Sequence, residues 1–174
     1  NMKKLLTLLG VLGMSVAAWA QTLNSPDGNL KLTFGLSAEK TPVYSLEYKD
    51  KQVVKESKMG FVLKPVLDFS KNFSVVDTEF SESTSTWNPV LGQYREIEDT
   101  HKEMLVEPKQ EKTGWLLNIR FRLFDDGLGF RYEFPVQGNL RNFTLVEELT
   151  EFCLAGDHKA FWIPADYDTN EFPI

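Results

Sequence analysis

Residues 155–171 hold the side chains best suited to chemistry. Asp157, His158, Trp162, Asp166, Tyr167, Asp168, Asn170 and Glu171 fall within seventeen positions. Carboxylates interleaved with aromatics suit a sugar site, because aromatic faces stack on the apolar faces of pyranose rings while carboxylates accept hydroxyl hydrogen bonds. Asp166, Asp168, Asn170 and Glu171 are also hard oxygen donors of the kind calcium takes. Their D-x-D-x-N spacing superficially matches an EF-hand loop. The sixth position, where that loop needs glycine, is Glu171, which excludes it. A solvated acidic loop would show the same composition. His158, beside Asp157 and near Trp162, is suited to a hydrogen-bonding role or to a structural one. Asp157, His158 and Trp162 are therefore the candidate substrate contacts.

Other polar groups carry less. Asp125 and Asp126 sit in Asp125-Asp126-Gly127-Leu128-Gly129, where turn chemistry explains them, and the glycines are expected to supply the positive φ of a tight reversal. His101 lies in a polar stretch and reads as exposed. Paired carboxylates could perform glycoside acid/base chemistry, but one sequence does not place a pair at the roughly 5–9.5 Å such mechanisms need. No G-x-S-x-G, phosphate-binding loop, dinucleotide fingerprint or H-E-x-x-H occurs. Two glycosylation sequons, at Asn72 and Asn142, carry no weight.

The elements that must position these residues alternate with period two. Leu30, Leu32, Phe34 and Leu36 share one face after the turn Ser25-Pro26-Asp27-Gly28. Residues 44–48 and 52–55 form a hairpin around Lys49-Asp50-Lys51. Segments 61–63, 73–78 and 103–107 are shorter strands. The longest run is 115–124, in which Trp115, Leu117, Ile119, Phe121 and Leu123 point one way and Asn118, Arg120 and Arg122 the other. It returns as Phe130-Arg131-Tyr132-Glu133-Phe134, where Glu133 can face Arg120 or Arg122. Segments 142–147, 150–154 and 160–163 continue the pattern after a turn near Gln137-Gly138-Asn139. Residues 80–101 are polar around Trp87-Asn88-Pro89 and read as a long loop. About ten strands, with no sustained helical period beyond the first twenty residues, predict an all-β sandwich.

The 174 residues are 42% hydrophobic and 13% aromatic, with thirteen Phe, which suits a sheet-rich core. Residues 2–20 read Met-Lys-Lys, an apolar run, then Ala18-Trp19-Ala20, a secretory signal peptide that predicts export to the periplasm. The apolar run is too short for the roughly twenty residues of a membrane anchor. After its removal, residues 21–174 carry 17 basic and 25 acidic side chains, or −8. That balance argues against nucleic acid and against an anionic membrane surface. Cys153 is alone, so no intramolecular disulfide forms, and Phe152-Cys153-Leu154 suggests a buried thiol. Asn1 before Met2, and a finish at Phe172-Pro173-Ile174, predict the beginning of a longer protein.

Several blocks in order resemble the N-terminal region of glycoside hydrolase family 97. They are Ser25-Pro26-Asp27-Gly28, Thr86-Trp87-Asn88-Pro89-Val90, the run from Arg120 to Pro135, the run from Ala155 to Pro164, and Asp166-Tyr167-Asp168-Thr169-Asn170-Glu171. The family comprises Bacteroidota-type α-glucosidases and α-galactosidases, among them periplasmic α-glucosidases of starch utilisation. The resemblance implies a β-supersandwich of the galactose-mutarotase type, incomplete here on its C-terminal side, packed in the whole protein against a (β/α)₈ barrel. It implies a calcium-dependent, exo-acting enzyme on α-linked oligosaccharides, with Glu171 as the one calcium ligand from this domain and the catalytic acid and base in the barrel. The domain alone is then expected to be inactive and poorly soluble. Leu91, Gln93 and Ala165 depart from the usual Trp, acid and Gly of relatives. Two other readings of the residues stand beside this one: a non-catalytic carbohydrate-binding sandwich using Trp87, Trp162 and Tyr167, and a structural envelope module.

Overall fold

The computed structural model describes residues 20–64, 68–138 and 140–159. Among them the chain forms ten strands and no helix. β1 (Ala20–Asn24), β2 (Leu30–Leu36), β3 (Pro42–Tyr48) and β4 (Lys51–Lys58) make one antiparallel sheet in chain order. β6 (Phe73–Trp87), β7 (Ile97–Gln110), β8 (Asn118–Leu123) and β9 (Leu128–Glu133) make a second. β5 (Phe61–Lys64), which follows the first sheet, pairs with β10 (Thr144–Glu148), which follows the second. The fold is the expected all-β sandwich. Of residues 1–20, read above as a signal peptide, all but Ala20 lie outside the described residues.

Alternation explains how the two sheets meet. Leu30, Leu32 and Phe34 of β2 are buried, while Lys31 and Thr33 between them are half-buried. Ile119, Phe121 and Leu123 of β8 are fully buried, as are Met104 and Val106 of β7. Aromatic rings join the sheets: Phe121 lies 5.7 Å from Phe34 and 6.5 Å from Tyr44 of the first sheet, and 5.9 Å from Phe130 of its own, centroid to centroid. A second aromatic group gathers on Phe69, with Phe73 at 5.2 Å and Trp115 at 6.0 Å. Ring pairs at these separations add to the burial of apolar area, which is the main stabilising contribution.

The turns follow local chemistry, with one exception to expectation. Lys49 and Asp50 both have positive φ between paired Tyr48 and Lys51, as a two-residue hairpin of type I′ requires. Gly28 closes the first turn at φ 77°, its N–H donating to Ser25 O over 3.0 Å. The β8–β9 reversal, by contrast, uses no positive φ at Gly127 or Gly129. Leu123 pairs with Leu128, so four residues make the loop, and loops of that length are built on ordinary turns.

Three further expectations are corrected. Residues 80–101 are not one long loop: most belong to the β6–β7 hairpin, and only the tip at 88–96 is irregular. Their polarity reflects an edge position, because among the described residues β6 pairs with β7 alone, and its distal half is exposed. Segment 150–154 forms no strand beyond the single bridge of Leu154 to Val54, and residues 160–163 lie outside the described residues. Cys153 is half-buried between exposed Phe152 and Leu154, since it rests against one strand edge and not between sheets.

Gly60 links β4 to β5 at φ 154°. A Cβ there would stand 2.7 Å from Ser70 Cβ and 2.8 Å from Ser70 Cα. Strain and overlap add, so Gly60→Ala is expected to destabilise the domain by roughly 1–3 kcal/mol. A urea midpoint equal to that of the parent would show that the 68–70 turn yields freely.

Candidate functional site

The segment that leads to Asp157 and His158 is zipped along β4. Glu151 N donates to Lys58 O over 2.9 Å, Lys55 N to Cys153 O over 2.7 Å, and Ala155 N to Val53 O over 3.0 Å. Tyr44 Oη donates to Glu151 O over 2.9 Å, and Cys153 N to Ser57 Oγ over 3.0 Å. These bonds cover the outer edge of the first sheet and carry the chain antiparallel to β4. Asp157 and His158 follow directly, both exposed, with no hydrogen bond to another described residue. The His158 ring folds back over Gly156, its Nε2 only 2.9 Å from where a Cβ would stand there. Trp162 and Glu171 lie outside the described residues.

The other histidine differs from its expected exposure. His101 is 4% exposed, its ring 5.2 Å from that of Phe124 and its Nδ1 2.5 Å from Asp99 Oδ1. The β8–β9 turn folds Phe124 onto it, which local sequence polarity does not reveal.

A charged ladder covers the outer face of the second sheet. Arg120 Nε donates to Glu133 Oε1 over 2.7 Å, and its Nη2 to Oε2 over 3.2 Å. Arg120 also bonds Glu103, whose other oxygen accepts from Arg122 Nε over 2.8 Å. The expected partnership with Glu133 falls to Arg120, and Arg122 takes Glu103 instead. Burial alone would raise the Glu103 carboxyl, but hydrogen bonds from Arg122 and Arg120 hold it below its ordinary 4.5. The Arg120 hydrogen bond likewise lowers Glu133. At the β1–β2 turn, hydrogen bonds from Ser25 Oγ and the Asn29 backbone lower Asp27 to about 2. Asp27 N in turn donates to Asp125 Oδ1 over 2.8 Å, so Asp125 ties two turns together.

These lowered carboxyls fix an acid response. Each binds its proton more weakly folded than unfolded, so each stabilises the fold above the ordinary carboxyl range and ceases to as pH falls through its folded value. The thermal midpoint is expected to be flat above about pH 5 and to fall between about pH 4.5 and 2. Glu103→Gln should flatten that fall, and an unchanged slope in the variant would exclude the ladder as its source.

A cleft of about 450 Å³ opens between residues 39–41, 58–59, 70–71 and 147–151. Its charges are already paired: Lys71 Nζ lies 2.8 Å from Glu39 Oε2, and Lys58 Nζ 3.9 Å from Glu151 Oε1. Thr150 Oγ1, at its margin, donates to Glu148 over 2.7 Å and lies 2.6 Å from Tyr132 Oη. Burial pushes the Tyr132 phenol up to about 12 against the hydrogen bond of Thr150. Among the described residues no aromatic side chain lines the cleft. Its residues come from four separate stretches, which is why no motif announces it. Among the described residues no group of three or more His, Cys, Asp or Glu could hold a metal ion.

Two antiparallel meanders, followed by an exposed polar segment at 156–159, define an all-β sandwich domain. Residues 23–173 match the family profile described as Glycosyl-hydrolase 97 N-terminal, and the chain belongs to that family. A "Retaining alpha-galactosidase" of Bacteroides thetaiotaomicron is 25% identical over 162 residues, 91% of this chain and 23% of that protein. A Glycoside Hydrolase Family 97 enzyme from Pseudoalteromonas sp. strain K8, solved in complex with panose and with acarbose, is 36% identical at a TM-score of 0.76, covering 83% of this chain and 22% of that one. A β-arabinopyranosidase structure is 25% identical at a TM-score of 0.71, over 77% and 21%. The chain thus spans less than a quarter of the length of the relatives it matches.

Proposed function

We propose that the chain is the N-terminal domain of an exported, calcium-dependent, exo-acting α-glycosidase that hydrolyses α-linked oligosaccharides in the periplasm. The observation that carries this reading is the family match across residues 23–173, joined to 36% identity with an enzyme whose solved complex holds panose, an α-linked glucose trisaccharide. α-Glucosides are therefore the first substrates to test, and α-galactosides the second. In this reading the domain shapes one wall of the active site and supplies one metal ligand, while a following barrel supplies the catalytic acid and base.

The donor chemistry suits the metal. Glu171 offers a hard carboxylate of the kind calcium takes, and the described residues hold no competing cage. When bound, such an ion polarises a reacting water and orients substrate. Asp157, His158 and Trp162 have the donors, acceptors and aromatic face that sugar hydroxyls and rings need. Exposure of the first two leaves them free to meet a ligand.

The test is expression of the longer polypeptide with its leader, followed by assay of the periplasmic fraction on aryl α-glucoside and α-galactoside, with calcium and with chelator. Calcium-dependent release of sugar is expected. Release of neither sugar, with a folded protein in hand, would overturn the enzymatic reading.

A further inference from the structure

The β6–β7 hairpin outruns its sheet. β8 pairs with β7 only from Lys102 to Val106, whereas β6 and β7 stay paired out to Trp87 and Ile97. The five rungs from Ser83–His101 to Trp87–Ile97 extend about 17 Å past the last β8 pair. At the end of this arm, residues 88–95 curl around a hollow of about 500 Å³. Gly92 at φ 143° makes the bend.

The side chains there are of two kinds. Trp87 is 50% exposed, Tyr94 69%, Leu91 89% and Val90 97%. Between them Asn88, Gln93 and Arg95 supply amide and guanidinium groups, also exposed. Aromatic faces beside several hydrogen-bonding groups suit a sugar, with its apolar ring faces and its rim of hydroxyls.

We propose that the tip of the β6–β7 arm is a carbohydrate-contacting finger, with Trp87 and Tyr94 as stacking faces and Asn88, Gln93 and Arg95 as hydroxyl partners. Its ligand is an outer unit of an α-linked oligosaccharide, away from the bond cleaved. The inference rests on the proposed function for the identity of the sugar. It makes the arm a determinant of chain-length preference.

The test compares the longer enzyme with its Trp87→Ala, Tyr94→Ala and Trp87→Phe variants on panose and on an aryl α-glucoside that carries one sugar. The alanine variants are expected to raise KM for panose about 3–10-fold, with kcat and the aryl glucoside KM unchanged. Trp87→Phe should restore most of the loss. Calorimetric titration of panose into the same proteins separates this inference from the catalytic reading. An enzyme that releases no sugar but binds panose, more weakly after Trp87→Ala, keeps the finger and removes the catalysis. Equal KM changes on both substrates, unchanged panose binding, or loss of thermal stability in Val90→Asp and Leu91→Asp would show a packing surface and overturn the finger.

Discussion

Phe121→Ala is expected to remove about 3–5 kcal/mol of folding stability, the usual cost of emptying a fully buried phenylalanine site. Domains of this size are stable by roughly 5–15 kcal/mol, so the variant should be largely unfolded at mild urea concentrations. The position is unforgiving because Phe34 and Tyr44 of one sheet and Phe130 of the other all abut the ring. Collapse around the cavity would require the sheets themselves to approach, which neighbouring buried Leu32, Ile119 and Leu123 resist. Urea denaturation followed by tryptophan fluorescence gives the number. A loss below about 1 kcal/mol would mean that the sheets do close on the gap, and that the aromatic contacts do not set their spacing.

The second large effect concerns activity. In the longer enzyme, Glu171→Gln exchanges a charged oxygen donor for a neutral amide of nearly the same shape. The calcium concentration for half-maximal activity is expected to rise by at least about 10–100-fold, the range that loss of a mere outer-shell partner already costs at metal sites. Saturating calcium should restore part of the rate, and the circular dichroism spectrum should not change. An unaltered calcium requirement would take Glu171 out of the metal site without touching the family assignment.

Much of this fold is legible in residue order wherever a strand has one dry face. β2 and β8 alternate cleanly because each sits between two neighbours with the core beneath it. The start of β6 is legible at 73–78, but its distal part is hidden for the opposite reason: an edge strand exposed along most of its length has no face to dry, so Ser, Thr and Glu are tolerated. Pairings between distant segments leave no local trace, and neither the β5–β10 pair nor the seam along β4 could be read ahead. His101 shows the same limit, since its burial depends on Phe124, brought over by the next hairpin. At the candidate site only 155–159 are described, so the composition of 155–171 stands as an expectation, drawn from the side chains that sugar chemistry needs close together. Glu103 was not singled out, although it holds two arginines, because a carboxylate in a polar strand has no distinctive neighbours in sequence.

The seam along β4 also sets an order of events in the life of the chain. Its bonds join residues 93, 96 and 107 positions apart, at Lys58–Glu151, Ser57–Cys153 and Tyr44–Glu151. Closures over such separations are slow, and during synthesis they wait for the later segment to emerge. Until then β5 lacks its partner and β4 offers an open edge, so the nascent segment stays adhesive until residues 144–155 arrive. The stretch that seals it is the one that delivers Asp157 and His158. Closure of the β4 edge and delivery of Asp157 and His158 are therefore a single step.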